Sequence, residues 1–205
     1  GPVSLACSFN VEDIVVLDMI METGLKIGVF AIDTGRLNEE TYETAEALGA
    51  RYGIRIEWYF PQAADVEELV REKGLFSFRN SLEDRKECCR IRKVEPLDRA
   101  LENLAGWVTG LRREQNVTRA QISFLEREDR EGTIIKINPL AEWTADQVSE
   151  YVQKKQLTVN RLNGLGYPSI GCAPCTRAVR PGEDARAGRW WWENPEHKEC
   201  GLHSR

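Results

Sequence analysis

Short apolar runs alternate with longer segments in which apolar residues recur every three or four positions, the pattern of a parallel β-sheet whose strands are linked by covering helices. Residues 3–7 read as a buried strand. Asn10, with Asp13 three residues on, reads as a helix start; the apolar run 14–21 continues that helix, and Gly24 suits the left-handed position that ends it. Residues 26–32 predict a second strand, 39–52 a helix and 54–58 a short third strand. Helices are also predicted over 65–73 and 81–94, with Pro96 in the first turn of another. Residues 107–109 and 134–137 read as strands, and Thr144 with Gln147 forms a capping box opening a helix to about Lys155. After Leu157 the periodicity stops, and Gly164, Gly166, Pro168, Gly171, Pro174, Pro181, Gly182 and Gly188 punctuate a long irregular segment. In a compact domain such a segment marks function or disorder. The expected fold class is α/β: an open, mostly parallel sheet with helices on both faces, one domain over residues 1–190, and a mobile C-terminal tail over 191–205.

Composition narrows the function. A chain of 205 residues with 41% hydrophobic content can bury one substantial core. The net charge of −5 argues against a nucleic-acid partner, because phosphate contact needs a surplus of Lys and Arg. No apolar run approaches the roughly 20 residues of a membrane helix, and no secretory signal opens the chain, so a cytoplasmic location without a membrane partner is expected. Because the chain begins almost directly in an apolar run, an amino-terminal extension is expected ahead of it. A homo-oligomer is compatible with the sequence and not specified by it. The basic residues are uneven: Arg112 and Arg113 are adjacent, and Arg177, Arg180, Arg186 and Arg189 fall within thirteen residues whose acids are Glu183 and Asp184. That local surplus suits a small anionic ligand.

The chain has six cysteines and no sign of secretion, so metal ligands or redox groups are a better reading than a disulfide framework. Cys172 and Cys175 have a spacing that lets both bind one centre, and the adjacent Cys88 and Cys89 supply two more thiols. Four thiolates match an iron–sulfur cluster. Neighbours on a helix diverge by about 100°, which suits an extended cluster better than one tetrahedral zinc ion. Spacing alone leaves iron–sulfur, zinc and a redox dithiol open. Cys200 stands apart near the end of the chain. On a mobile tail it could enter a pocket and then meet a second protein, with Lys198 or His203 lowering its pKa, or it could be an incidental surface thiol. Cys7, in a strand with apolar neighbours, reads as core.

Cys7-Ser8-Phe9-Asn10-Val11-Glu12-Asp13 spans the turn from the first strand into the first helix. Such a turn offers backbone N–H groups and a helix amino terminus to an anion. Ile32-Asp33-Thr34-Gly35-Arg36 follows the second strand, at the same sheet edge if the strands are parallel. Asp33 and Thr34 suit either loop capping or contact with a ribose or adenine.

These motifs, with Cys88-Cys89, Trp107-Val108-Thr109-Gly110-Leu111-Arg112-Arg113, Cys172-Ala173-Pro174-Cys175 and Glu199-Cys200-Gly201-Leu202-His203, cover nearly the whole chain. Together they resemble the assimilatory adenylyl-sulfate (APS) reductases of the APS/PAPS reductase family, iron–sulfur type. The resemblance implies an adenine nucleotide hydrolase-like fold. It also implies reduction of APS by thioredoxin to sulfite and AMP in sulfate assimilation, with a 4Fe-4S cluster on Cys88, Cys89, Cys172 and Cys175. Cys200 is then the nucleophile and carries a thiosulfonate intermediate. Ser8, Phe9, Asp33 and Thr34 fall in the nucleotide motifs, Lys93 matches a substrate-contacting lysine near the cluster, and Arg186 and Arg189 match sulfate- or phosphate-binding arginines. Arg112 and Arg113 belong to a basic motif in which either could touch ligand. Asn10 departs from the glycine common in that turn. The rival readings are a PAPS or dual-specificity reductase, an ATP-using tRNA thiolase and, from outside enzymology, an iron–sulfur redox sensor or binding module.

Overall fold

A computed structural model describes residues 1–116, 119–130, 132–194 and 197–198. Its strands are β1 (Val3–Ala6), β2 (Gly28–Ile32), β3 (Ile56–Tyr59), β4 (Gly106–Val108), β5 (Leu125–Arg130) and β6 (Gly132–Ile137). They form one sheet in the order β3-β2-β1-β4-β6-β5, parallel throughout except for the pairing of β5 with β6. The helices are α1 (Val11–Thr23), α2 (Glu39–Tyr52), α3 (Ala63–Lys73), α4 (Leu82–Cys89), α5 (Glu95–Leu101) and α6 (Ala145–Lys155). Among the described residues no helix is long and apolar enough to cross a membrane.

Strand alternation divides the core in two. Leu5, Cys7, Val29, Ala31 and Val108 point to one face, where they meet Ile14, Val15 and Leu17 of α1, Leu48 of α2 and Val148 of α6. Phe30, Trp107 and Ile134 point to the other face and pack on Leu97, Ala100 and Leu101 of α5. Each such large apolar side chain contributes roughly 1.5 to 3 kcal/mol when fully buried. α1 lies deep enough to bury even Asp18, whose carboxylate accepts from the Tyr52 hydroxyl at 2.7 Å and the Tyr151 hydroxyl at 2.9 Å. The acid is thus satisfied and pins α1 to α2 and α6.

The helix ends follow local chemistry. Gly24 and Gly53 take the left-handed conformation after α1 and α2, and Thr144 and Gln147 exchange the two hydrogen bonds of a capping box at α6. The predicted helix over 81–94 divides: α4 ends at Cys89, a π-helical turn spans Arg90–Val94, and α5 continues from it. Strand β5 has no counterpart in the sequence reading. Its Leu-Glu-Arg-Glu-Asp-Arg lacks apolar alternation and is held by the antiparallel ladder and by ion pairs from Lys136 to Glu126 and Glu128, both at 3.2 Å.

Candidate functional site

The chain leaves β1 for β2 and β3 on one side, then returns to β4 on the other. At such a switch the loops beyond the carboxyl ends of the strands diverge and leave a crevice. A cavity of ≈ 620 Å³ opens there, lined by the turn after β1, the loops after β2 and β4, and the irregular segment after α6. Ser8, Phe9, Thr34, Lys93, Arg112, Arg186 and Arg189 all reach its wall.

The turn after β1 is tightly built. Phe9 is buried with φ 61°, a left-handed conformation uncommon outside glycine, and its ring stacks on Trp58 at 5.6 Å. Asp13 gathers the turn from below: its carboxylate accepts from Ser8 N–H at 2.8 Å, Ser8 Oγ at 2.5 Å and Gly110 N–H at 3.1 Å. Burial, opposed by these hydrogen bonds and assisted by Glu12, pushes the Asp13 carboxyl up to about 6. Gly110 is required for this junction. A Cβ there would lie 2.5 Å from Asp13 Oδ1 and 2.8 Å from its backbone nitrogen.

Two candidate ligand residues stand apart from the cavity wall. Asp33 stands outside the cavity lining; its oxygens accept from Gly35 N–H at 2.7 Å and the Tyr42 hydroxyl at 2.9 Å, the work of a loop cap. Arg113 also stands outside, donating to the Ile122 carbonyl at 2.7 Å and pairing with Glu142 at 3.2 Å. Arg112 does line the cavity, but Nε and Nη2 bind Glu12 Oε1 at 3.1 and 3.0 Å and Nη1 binds the Trp143 carbonyl at 3.2 Å. It joins the β4 loop to the start of α1. Arg119, which the sequence reading passed over, lines the cavity as well. Its only sequence signal was its place in the loop that begins at Arg112.

Cys88 and Cys89 end α4, and Cys172 and Cys175 flank a short 3-10 turn, Ala173–Cys175. All four are buried, and none of them is in a disulfide. They line one small void of ≈ 10 Å³ with Phe78, Trp190, Arg36, Arg85, Arg92 and Lys93. Lys93 and Trp190 also line the cavity, so the two spaces share a wall. Trp190, buried with φ 38°, lies between the guanidinium groups of Arg85 at 4.7 Å and Arg189 at 4.6 Å. Burial raises the thiol pKa at Cys88 and Cys175, reaching about 12 at Cys175. At Cys172 burial acts the same way, but Lys93, the Thr34 hydroxyl, Arg189 and Arg36 outweigh it and hold the thiol below its ordinary value.

Among the described residues no group of three or more His, Cys, Asp or Glu is gathered so as to hold a metal ion. The four thiols line one shared void. The donor set fits an iron–sulfur cluster in number and kind, four cysteine sulfurs with nearby cations to balance thiolate charge. Cys200 lies outside the described residues. The chain ahead of it is anchored: Arg85 donates to the His197 carbonyl at 2.6 Å, and Arg186 to the Lys198 carbonyl at 2.7 Å.

Comparison with known proteins places this architecture among relatives. Residues 2–178 match the phosphoadenosine phosphosulfate reductase domain family. A protein of Burkholderia cepacia named adenosine 5′-phosphosulfate reductase is 51% identical over 201 residues, covering 98% of this chain and 80% of the relative. The crystal structure of phosphoadenylyl-sulfate (PAPS) reductase from Candida auris in a phosphate complex superposes with a TM-score of 0.72 at 28% identity, covering 87% of this chain and 84% of that one. An FMN adenylyltransferase of Candida glabrata shares the fold at a TM-score of 0.59 and 14% identity, covering 92% of this chain and 63% of that one.

Proposed function

The chain belongs to the phosphoadenosine phosphosulfate reductase domain family, and we propose that it is an oxidoreductase of sulfate assimilation that reduces APS to sulfite and AMP. The observation that carries this reading is the shared wall: Lys93 and Trp190 stand between the nucleotide-sized cavity and the four cysteines, and Arg186 and Arg189 line the same cavity. APS is favoured over PAPS by the 51% identity to the Burkholderia relative, against 28% to the Candida auris enzyme.

In this proposal the adenosine lies against Ser8, Phe9 and Thr34, and the sulfate and phosphate oxygens face Lys93, Arg186 and Arg189. Arg189 Nε, buried and without a hydrogen-bond partner, is a donor suited to such an oxygen. The Cys200 thiolate attacks the sulfur of APS, a sulfur–sulfur bond forms, the bond from sulfur to the phosphate oxygen breaks, and AMP leaves with that electron pair. Fixed cations offset the charge on the departing oxygen, an effect worth about 3 to 4 kcal/mol per donor in other enzymes. Thioredoxin then supplies two thiols: one attacks the Cys200 sulfur and expels sulfite, and the second resolves the mixed disulfide and returns Cys200 as thiolate. Cys88, Cys89, Cys172 and Cys175 would hold a 4Fe-4S cluster, which when bound ties their two segments together and sets the field at Lys93. The proposal places the enzyme in a reducing cytoplasm, where cysteine ligands stay as thiols.

The test is intact mass after mixing iron-loaded protein with APS and no thioredoxin. An adduct of about +80 Da, the mass of an SO3 group, is expected in the wild type and absent from Cys200→Ser. Full turnover without any modification of Cys200 would overturn the scheme.

A further inference from the structure

Asn10 holds the N-cap position of α1, where asparagine ordinarily gives its side-chain oxygen to an amide of the first helical turn. Here it makes no such bond. Oδ1 instead accepts from the Ile170 N–H at 2.8 Å and Nδ2 donates to the Ile170 carbonyl at 3.1 Å, a two-point pairing across 160 positions. Nδ2 also donates to Ser8 Oγ at 2.9 Å. The side chain thus stands in for a peptide unit and extends the turn after β1 sideways to a distant backbone.

Ile170 lies two residues before Cys172, and its carbonyl also accepts from Arg189 Nη1 at 3.3 Å. Asn10, Ile170 and Arg189 all line the cavity. The same arm is tied from the loop after β2, where Asn38 Nδ2 donates to the Gly171 carbonyl at 3.4 Å and the Arg36 carbonyl accepts from Ala173 N–H at 2.8 Å. Those ties set the arm against the second strand. The Asn10 tie sets it against the turn that starts α1.

We propose that Asn10 is a positioning residue: it fixes the spacing between the β1–α1 turn and the arm leading to Cys172, and through the shared Ile170 carbonyl it holds Arg189 at the cavity wall. The inference rests on reading the cavity as the APS site. A guanidinium displaced by about 1 Å from the oxygen it serves can lose up to 10²-fold in rate. Asn10→Ser keeps a helix N-cap but cannot span to Ile170, and Asn10→Ala serves as the second variant should that one fail to fold.

Three measurements are made on full-length, iron-loaded protein: amide hydrogen exchange over residues 168–172, steady-state kinetics with APS, and AMP binding by calorimetry. In Asn10→Ser the Ile170 amide should exchange at least tenfold faster with AMP binding retained, and kcat/KM should fall on the order of tenfold. Because the effect is transmitted through Arg189, the double variant Asn10→Ser with Arg189→Ala should be no slower than Arg189→Ala alone. Unchanged Ile170 exchange, or rate losses that multiply in the double variant, would overturn the role of Asn10 while leaving the APS reading intact. A wild-type protein that binds neither AMP nor APS overturns both.

Discussion

The Thr34 hydroxyl lies 3.2 Å from the Cys172 sulfur. A loop that borders the cavity is therefore in direct contact with the cysteine arm 138 residues later in the chain. Partners of this kind commonly govern how firmly a sulfur holds metal, with losses of about 10- to 100-fold in affinity when they are removed. Thr34→Val keeps the side-chain shape and deletes the hydroxyl. Iron release from the proposed cluster to a chelator should be about tenfold faster than in wild type, with Thr34→Ser behaving as wild type. Equal release rates in all three proteins would remove Thr34 from the cysteine site.

Asp13 should leave a signature in the pH dependence of folding. Its carboxyl titrates at about 6 in the folded protein, chiefly through burial, against an ordinary value of 3.8. The native state therefore binds this proton more tightly than the unfolded chain, and the associated stability, present at low pH, is lost as pH rises from about 4 through about 6. The loss amounts to about 3 kcal/mol at 1.36 kcal/mol per pKa unit. Urea denaturation of wild type and Asp13→Asn across pH 4 to 7 should show the stability difference, wild type minus variant, falling by that amount. A pH-independent difference would contradict the burial of a titrating acid at this position.

Arg85 is fully buried and binds Glu193 through Nε at 3.0 Å and Nη2 at 2.9 Å. Removing the carboxylate takes the charge partner and two hydrogen bonds from a buried guanidinium that keeps its bond to the His197 carbonyl, so Glu193→Ala should cost about 3 kcal/mol in chemical denaturation. Replacing both partners with apolar residues, Arg85→Met with Glu193→Leu, should cost less than the single change. The reverse order would mean that the pair acts through something other than its charge.

Strand and helix positions were largely legible because α1, α2 and α6 carry strong end signals and because β1 and β2, inside the sheet, are short and mostly apolar. β5 was not, since an edge strand held by Lys136 ion pairs needs no apolar period. The four cysteines and the turn after β1 could be picked out from residue type and spacing; the four thiols line one void, and the turn lines the cavity. The hydrogen-bond partners of Asp33 and Arg112 could not be picked out, because no local pattern records which side chain another one faces. The pairing of Asn10 with Ile170 escaped for the same reason, its partner lying 160 residues away.

The π-helical turn at Arg90–Val94 makes chain length itself a determinant of the site. On one side of it Cys88 and Cys89 face the void, and on the other Leu97, Ala100 and Leu101 face the sheet. Deleting a single residue from the turn would rotate α5 against α4 by about 100° and draw them together by about 1.5 Å. Either the thiols or the leucines would then be aimed wrongly, and no exchange of one side chain for another could restore both. The segment can tolerate changes of spelling far more readily than changes of count.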